Sequence, residues 1–332
     1  MTEFWKGKRV LVTGGAGFIG SFLSEALVRA GADVVVFTRY SSRGLGGAVG
    51  YMEESLRANM RFVMGDLKDP AGVMAAAAGC DVIFHLAAHI GIPYSYVHPV
   101  DVVQTNVMGT TNVLEAARAA GVSKVVLFST SEVYGTALYS PIDEAHPLQG
   151  QSPYSASKIA ADQLGLSYHR AFGTPVAICR PFNTYGPRQP ARAIIPTIIG
   201  QALRGDEVRL GALHPTRDML FVEDTVAGAL RVAEAEASVG EVVQLGTGVE
   251  ISIGELVTEI CRLLGKSPRI ISGEPERTRP EKSEVNRLIA STARAEEMLG
   301  WRPQVTLAEG LTRTARWIEA NIGYLAVDGY QI

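Results

Sequence analysis

Two short stretches carry side chains that could do chemistry. In Tyr154-Ser-Ala-Ser-Lys158 a phenol and an ammonium stand four residues apart. On a helix that spacing puts both on one face. A phenol with a pKa of about 10 is a poor base at neutral pH. A cation beside it favours the phenolate and lowers that value, so the pair could take a proton from a hydroxyl. The second stretch, Ser129-Thr130-Ser131-Glu132, follows the apolar run Val125-Val126-Leu127-Phe128 and falls where a buried strand should end. A carboxylate there pays for desolvation without any benefit to core packing, which marks Glu132 as a group with another purpose.

The elements that must hold these groups follow a regular rhythm. The runs RVLVTG, DVVVFT, MRFVMGDL, CDVIFHLAA, KVVLFSTS and PVAICRPF alternate with helical patterns, among them Asn106 to Ala120 and Tyr154 to Phe172. Short continuous apolar strands separated by helices predict an α/β fold with a parallel sheet covered on both faces. Beyond about Arg180 prolines, arginines and glycines loosen the pattern, and a smaller second lobe interleaved with the first is expected.

Composition limits the function classes. The 332 residues are 47% hydrophobic, ample for a core. A net charge of −3 leaves no basic footprint for nucleic acid. No stretch reaches the roughly 18 uncharged apolar residues of a membrane span, and the N-terminal residues show no signal-peptide core. Cys80, Cys179 and Cys261 lie far apart in apolar surroundings and read as reduced thiols of a cytoplasmic protein.

Gly14, Gly17 and Gly20 follow the first strand and open a helix. Such a turn lets backbone approach a pyrophosphate, while the helix start offers unpaired N–H groups. The spacing G-x-x-G-x-x-G resembles the short-chain dehydrogenase/reductases, whose fold is a Rossmann-type doubly wound sheet. The resemblance implies cofactor contacts from the turn with Phe18 and Ile19, from Asp66 and Leu67 after strand three, and from Leu86, Ala87 and Ala88 after strand four. Strand two ends in Thr38, Arg39, Ser41, Ser42 and Arg43, with no carboxylate for a ribose diol. Arginine and hydroxyls suit a 2′-phosphate, so a tightly bound NADP is expected ahead of NAD. No metal is called for.

In that family Tyr154 takes the substrate hydroxyl proton, Lys158 supports it and holds the nicotinamide ribose, and Thr130 hydrogen-bonds the reacting hydroxyl. The motifs from Gly14 to Arg279 resemble the extended members that act on nucleotide sugars. Residues 1–180 are then the NAD(P)-binding Rossmann domain, and 181–332 are mostly a substrate lobe with segments returning to the sheet. Glu132 chooses among the reactions. A 4-epimerase needs no second base, whereas a 4,6-dehydratase needs a carboxylate for the C5 proton. Many hexose dehydratases carry Asp-Glu here; this chain has Ser131-Glu132, so Glu132 is expected to pass its proton to the departing hydroxyl with Ser131 orienting it. HIGIPYSY, QGQSPYSASKIAADQL, PTRDMLFVEDT and RPEKSEVNRL are similar to N-acetylglucosamine 4,6-dehydratases of nonulosonate pathways, with a UDP or GDP carrier. The implied substrate contacts are His89, Ile92, Pro93 and Tyr94 at the sugar, with Asn183, Arg192, Arg217 and Arg279 at the nucleotide and diphosphate. The alternatives are UDP-glucuronate decarboxylation, 4-epimerisation and, outside catalysis, an inactive NADP sensor. A homodimer through a four-helix interface built on the Asn106–Ala120 and Tyr154–Phe172 helices is also implied.

Overall fold

The computed structural model describes residues 3–42, 44–273 and 280–325. Its strands are β1 (Arg9–Thr13), β2 (Asp33–Arg39), β3 (Met60–Gly65), β4 (Val82–His85), β5 (Lys124–Phe128), β6 (Val176–Pro181) and β7 (Asn183–Tyr185). They continue with β8 (Glu207–Arg209), β9 (Thr216–Phe221), β10 (Val242–Leu245), β11 (Glu250–Ser252), β12 (Arg269–Ile271) and β13 (Arg287–Leu288). The helices begin with α1 (Phe18–Arg29), α2 (Glu54–Arg57), α3 (Pro70–Ala77), α4 (Ile92–Val97), α5 (Pro99–Val103), α6 (Gly109–Ala120) and α7 (Pro153–Phe172). They end with α8 (Ile194–Arg204), α9 (Val222–Glu234), α10 (Ile253–Leu264), α11 (Ala293–Leu299) and α12 (Leu307–Ala320).

Seven strands form one parallel sheet in the order β10-β6-β5-β4-β1-β2-β3. Successive side chains of a strand face opposite ways. Val10, Val12, Val34, Val36, Phe84 and Val126 therefore pack into a core on one face. Leu11, Val35, Phe37, Ile83, Val125 and Leu127 pack into another on the opposite face. This is the doubly wound Rossmann arrangement, and its order reverses between β1 and β4. In open α/β sheets that reversal leaves a crevice beyond the strand ends, where ligands bind.

The outer strand β10 pairs with β6 in parallel, Val242 opposite Ile178 and Leu245 opposite Pro181, although more than 60 residues separate them in the chain. The second half also builds a small sheet, β11-β9-β13 with β7 also on β9, and a two-stranded sheet of β12 and β8, around a core that includes Tyr185, Ile195, Ile198, Phe221 and Leu256.

The helix expected to begin near Asn106 starts earlier. The chain enters α5 at Pro99, widens to a π-helical turn over Gln104–Met108, and continues as α6. Such turns are frequent at functional sites in proteins. Here it turns the buried Asn106 side chain toward His89 and Ser157.

Candidate active site

The crevice is a cavity of about 770 Å³. Its floor is the glycine turn. Gly14 has φ +74, and a Cβ there would stand 2.8 Å from the Ala87 nitrogen, so only glycine lets β1 and β4 run this close. At the start of α1, Gly17 supplies no side-chain cap and the first turn carries no acid. The helix end therefore keeps its partial positive charge for something in the cavity. Gly14, Gly17, Phe18, Ile19 and Gly20 line it, with Arg39, Asp66, Leu67, Leu86, Ala87 and Ala88. An uncapped helix N-terminus bordered by small residues and an arginine fits a dinucleotide.

The opposite end is built by β5 and α7. Thr130 caps a 3₁₀ turn over Ser131–Tyr134, its hydroxyl accepting from the Glu132 N–H at 3.2 Å. That turn brings a carboxylate to the strand end, where Glu132 is only 9% exposed and lines the cavity. Helix α7 starts at Pro153 behind a capping box: Ser155 N–H donates to the Ser152 hydroxyl at 3.1 Å, and Ser152 N–H to the Ser155 hydroxyl at 2.9 Å. Tyr154 and Lys158 thus sit in its first two turns, both buried and both on the cavity wall.

Electrostatics here follow burial. Burial pushes the Tyr154 phenol up, opposed by its hydrogen bond with Thr130 and reinforced by the Glu132 and Asp162 charges. Burial pulls Lys158 down, opposed by Asp162, and its ammonium donates to the Phe128 carbonyl at 2.6 Å. A phenol so raised stays protonated until positive charge comes near it.

Behind these groups lies a buried polar network. Asp162 accepts from the Ser129 hydroxyl at 2.7 Å and from the Arg180 guanidinium at 2.7 Å. Arg180 also donates to the Tyr134 hydroxyl at 2.8 Å, which donates in turn to Gln244 on β10 at 2.8 Å. Sequence reading passed over Asp162, although it lies one turn beyond Lys158 and so on the same face. It passed over Asn106 as well. That side chain donates to the His89 carbonyl and the Ser157 hydroxyl, both at 2.9 Å, and accepts from the His89 N–H at 2.7 Å, joining the β4 loop to α7.

The remaining expected residues divide. Asn183, Arg192, His89 and Ile92 line the cavity; Asn183 Oδ1 is buried without a protein partner. Pro93 and Tyr94 are not on the wall, and the Tyr94 hydroxyl donates to Asp101 at 2.9 Å. Ser131 is buried in the 3₁₀ turn, and Ser41 and Ser42 lie past β2, away from the lining. Arg217 is buried on β9, donating to the Thr216 carbonyl at 2.9 Å and lying 3.5 Å from Glu284, off the cavity wall. Arg279 and Arg43 fall outside the described residues. Cys80, Cys179 and Cys261 are free, buried thiols. Among the described residues no helix is long and apolar enough to cross a membrane.

Similarity to known proteins runs over nearly the whole chain. A UDP-glucose 4-epimerase of Mycolicibacterium smegmatis is 37% identical, covering 93% of this chain and 98% of its own. A dTDP-glucose 4,6-dehydratase of Streptomyces antibioticus is 35% identical, covering 94% and 92%. Among solved structures, the dTDP-glucose 4,6-dehydratase DesIV from Streptomyces venezuelae, with NAD and TYD bound, superposes with a TM-score of 0.84 at 34% identity over 95% of this chain and 98% of that one. The family model described as GDP-mannose 4,6 dehydratase matches residues 11–314, and the chain accordingly belongs to that family, a nucleotide-sugar dehydratase and epimerase branch of the extended short-chain dehydrogenase/reductases.

Proposed function

We propose that the protein is a nucleotide-sugar 4,6-dehydratase acting on UDP- or GDP-N-acetylglucosamine to give the 4-keto-6-deoxy sugar. The observation that carries this reading is Glu132, a buried carboxylate on the same cavity wall as Tyr154 and Lys158. Tyr154 takes the C4 hydroxyl proton, Thr130 orients that hydroxyl, and Lys158 lends the positive charge a phenolate needs. The C4 ketone acidifies C5, Glu132 removes that proton and hands it to the C6 hydroxyl, which departs as water; once C6 has taken its hydride, C5 regains a proton from solvent through Glu132. Ser131 orients Glu132. A nicotinamide dinucleotide held at the glycine turn would supply the hydride acceptor for C4 and the hydride donor for C6.

Gly14, Gly17, Phe18, Ile19 and Ala87 would hold that dinucleotide, and Arg39, at a β2 end without a carboxylate, supports NADP ahead of NAD. Asn183 and Arg192 on the wall, with Arg217 and Arg279, are inferred to hold the nucleotide diphosphate; bidentate arginine suits phosphate. Val100, Met108 and Phe172 stand more than half exposed in the α5–α6 and α7 regions, which supports a homodimer through those helices. Free buried thiols suit a cytoplasmic protein.

The test uses UDP- and GDP-N-acetylglucosamine in deuterated water, read by product mass. Loss of water with one deuterium gained at C5 is expected. An unchanged mass with inverted C4 would favour 4-epimerisation. Glu132→Gln is expected to bind and oxidise substrate yet stall before elimination; normal dehydration by that variant would sink the assignment.

A further inference from the structure

The β2–β3 end of the cavity is lined by two cations, Arg39 and Lys68, and by two carboxylates, Asp66 after β3 and, from an unexpected element, Asp101 on α5. Both Asp101 oxygens are engaged. Lys68 Nζ donates to Oδ1 at 3.1 Å; Tyr94 Oη and His89 Nε2 lie 2.9 Å and 3.0 Å from Oδ2. Lys68 also stands 3.9 Å from Asp66. One carboxylate thus ties the loop after β3 to the loop after β4 and to α4. It also offsets the charge of a lysine on the cavity wall.

In sheets of this type the end of β2 is where a dinucleotide's adenosine ribose is read. Here β2 brings an arginine and no acid, so the local charge balance rests on Lys68 and its carboxylate partners, Asp101 at hydrogen-bond distance and Asp66 at 3.9 Å. We propose that Asp101 is a specificity-determining residue for the cofactor: by holding and neutralising Lys68 it limits the preference for a 2′-phosphate and keeps NAD competitive with NADP. The inference rests on the dinucleotide reading of this site. Asp101 acts through Lys68 and has no part in the proton transfers at Tyr154 or Glu132.

The experiment is a titration of the full-length protein with NADH and NADPH, followed by nicotinamide fluorescence. The co-purifying nucleotide is first identified by mass and exchanged. The quantity read is the NADPH-to-NADH affinity ratio within each variant, which a general loss of packing does not shift. Asp101→Asn keeps the shape and one acceptor, and is expected to raise the ratio about fivefold to tenfold, the scale of one partly solvated charge pair. Lys68→Met is expected to lower it by a similar factor, and the double variant to resemble Lys68→Met. If both nucleotides bind the wild type and Asp101→Asn leaves the ratio unchanged, the inference is overturned. A rise that persists in the double variant also overturns it, because Asp101 would then act without Lys68. If neither nucleotide binds the wild type, the reading of the whole site as a dinucleotide site fails, a result distinct from the other two.

Discussion

At the β5–α7 end of the cavity, Glu132, Tyr154 and Lys158 are each less than 10% exposed and lie over a sealed Asp162–Arg180 pair whose side chains are 2% exposed. At the β2–β3 end, the Lys68 and Asp101 side chains are 40% and 32% exposed. Both ends use ion pairs and hydrogen bonds, but the solvent differs. Water screens the outer pair, so its loss changes affinities by small factors. Water does not reach the Asp162–Arg180 pair, so either member is expensive to leave without the other. The proposed reaction chemistry sits where displacement is costly, and the proposed control of cofactor choice sits where it is cheap.

That contrast can be broken at several points. Tyr154→Phe removes the proton acceptor proposed for the inner end and should lower turnover on the order of 10³-fold with nucleotide-sugar affinity little changed. Single-turnover kinetics showing near-normal C4 oxidation would contradict it. Arg180→Met strips the buried Asp162 of its partner and should cost about 3–5 kcal/mol of stability, read by urea unfolding. A loss under 1 kcal/mol would mean that water reaches the network.

A third test asks whether the dry region extends beneath the nucleotide turn. His85 on β4 is buried between Thr13, at 2.7 Å, and Thr110, at 3.1 Å. Burial, and then the Lys158 charge, pull its imidazole down to about 3. Below the ordinary value of about 6.5 the unfolded chain binds a proton that the folded one refuses. Stability contributed by His85 is therefore present above about 6.5 and lost as pH falls toward 3, by at most about 1.4 kcal/mol per pH unit. His85→Asn should flatten that acid limb of the melting temperature; an unchanged slope would show that other groups set it. The smallest effect is expected outside: Lys68→Met should shift stability by less than about 1 kcal/mol. A larger loss by the same urea measurement would mean that the outer pair is not screened.

Sequence patterns resolved these two ends unequally. Six strands of the main sheet, the glycine turn and the Tyr154–Lys158 face rest on local periodicity, and they stand where periodicity puts them. A return of later segments to the sheet was expected, but β10 was not singled out, because a four-residue run in a loosened region has no local mark of its partner. Tyr94 was expected at the sugar and Arg217 at the diphosphate; the structure adds to each a protein partner from another element, Asp101 and Glu284, that no local pattern announces. The Lys68–Asp101 contact spans 33 residues, and no spacing rule reaches across it. The π-helical turn at Asn106 was hidden for a different reason: its residues have ordinary helical character, and what distinguishes them is a tertiary bond to the backbone of His89.

Strand β10 also sets an order on biosynthesis. It is the outermost strand on its side of the main sheet, and it arrives only at residue 242. A polypeptide ending at residue 180 would offer the bare backbone of β6 to neighbouring copies and leave the Tyr134 hydroxyl without Gln244. The first half of the message alone therefore cannot yield a finished main sheet: its last strand, β10, is made only after the first six, β1 to β6, have been translated.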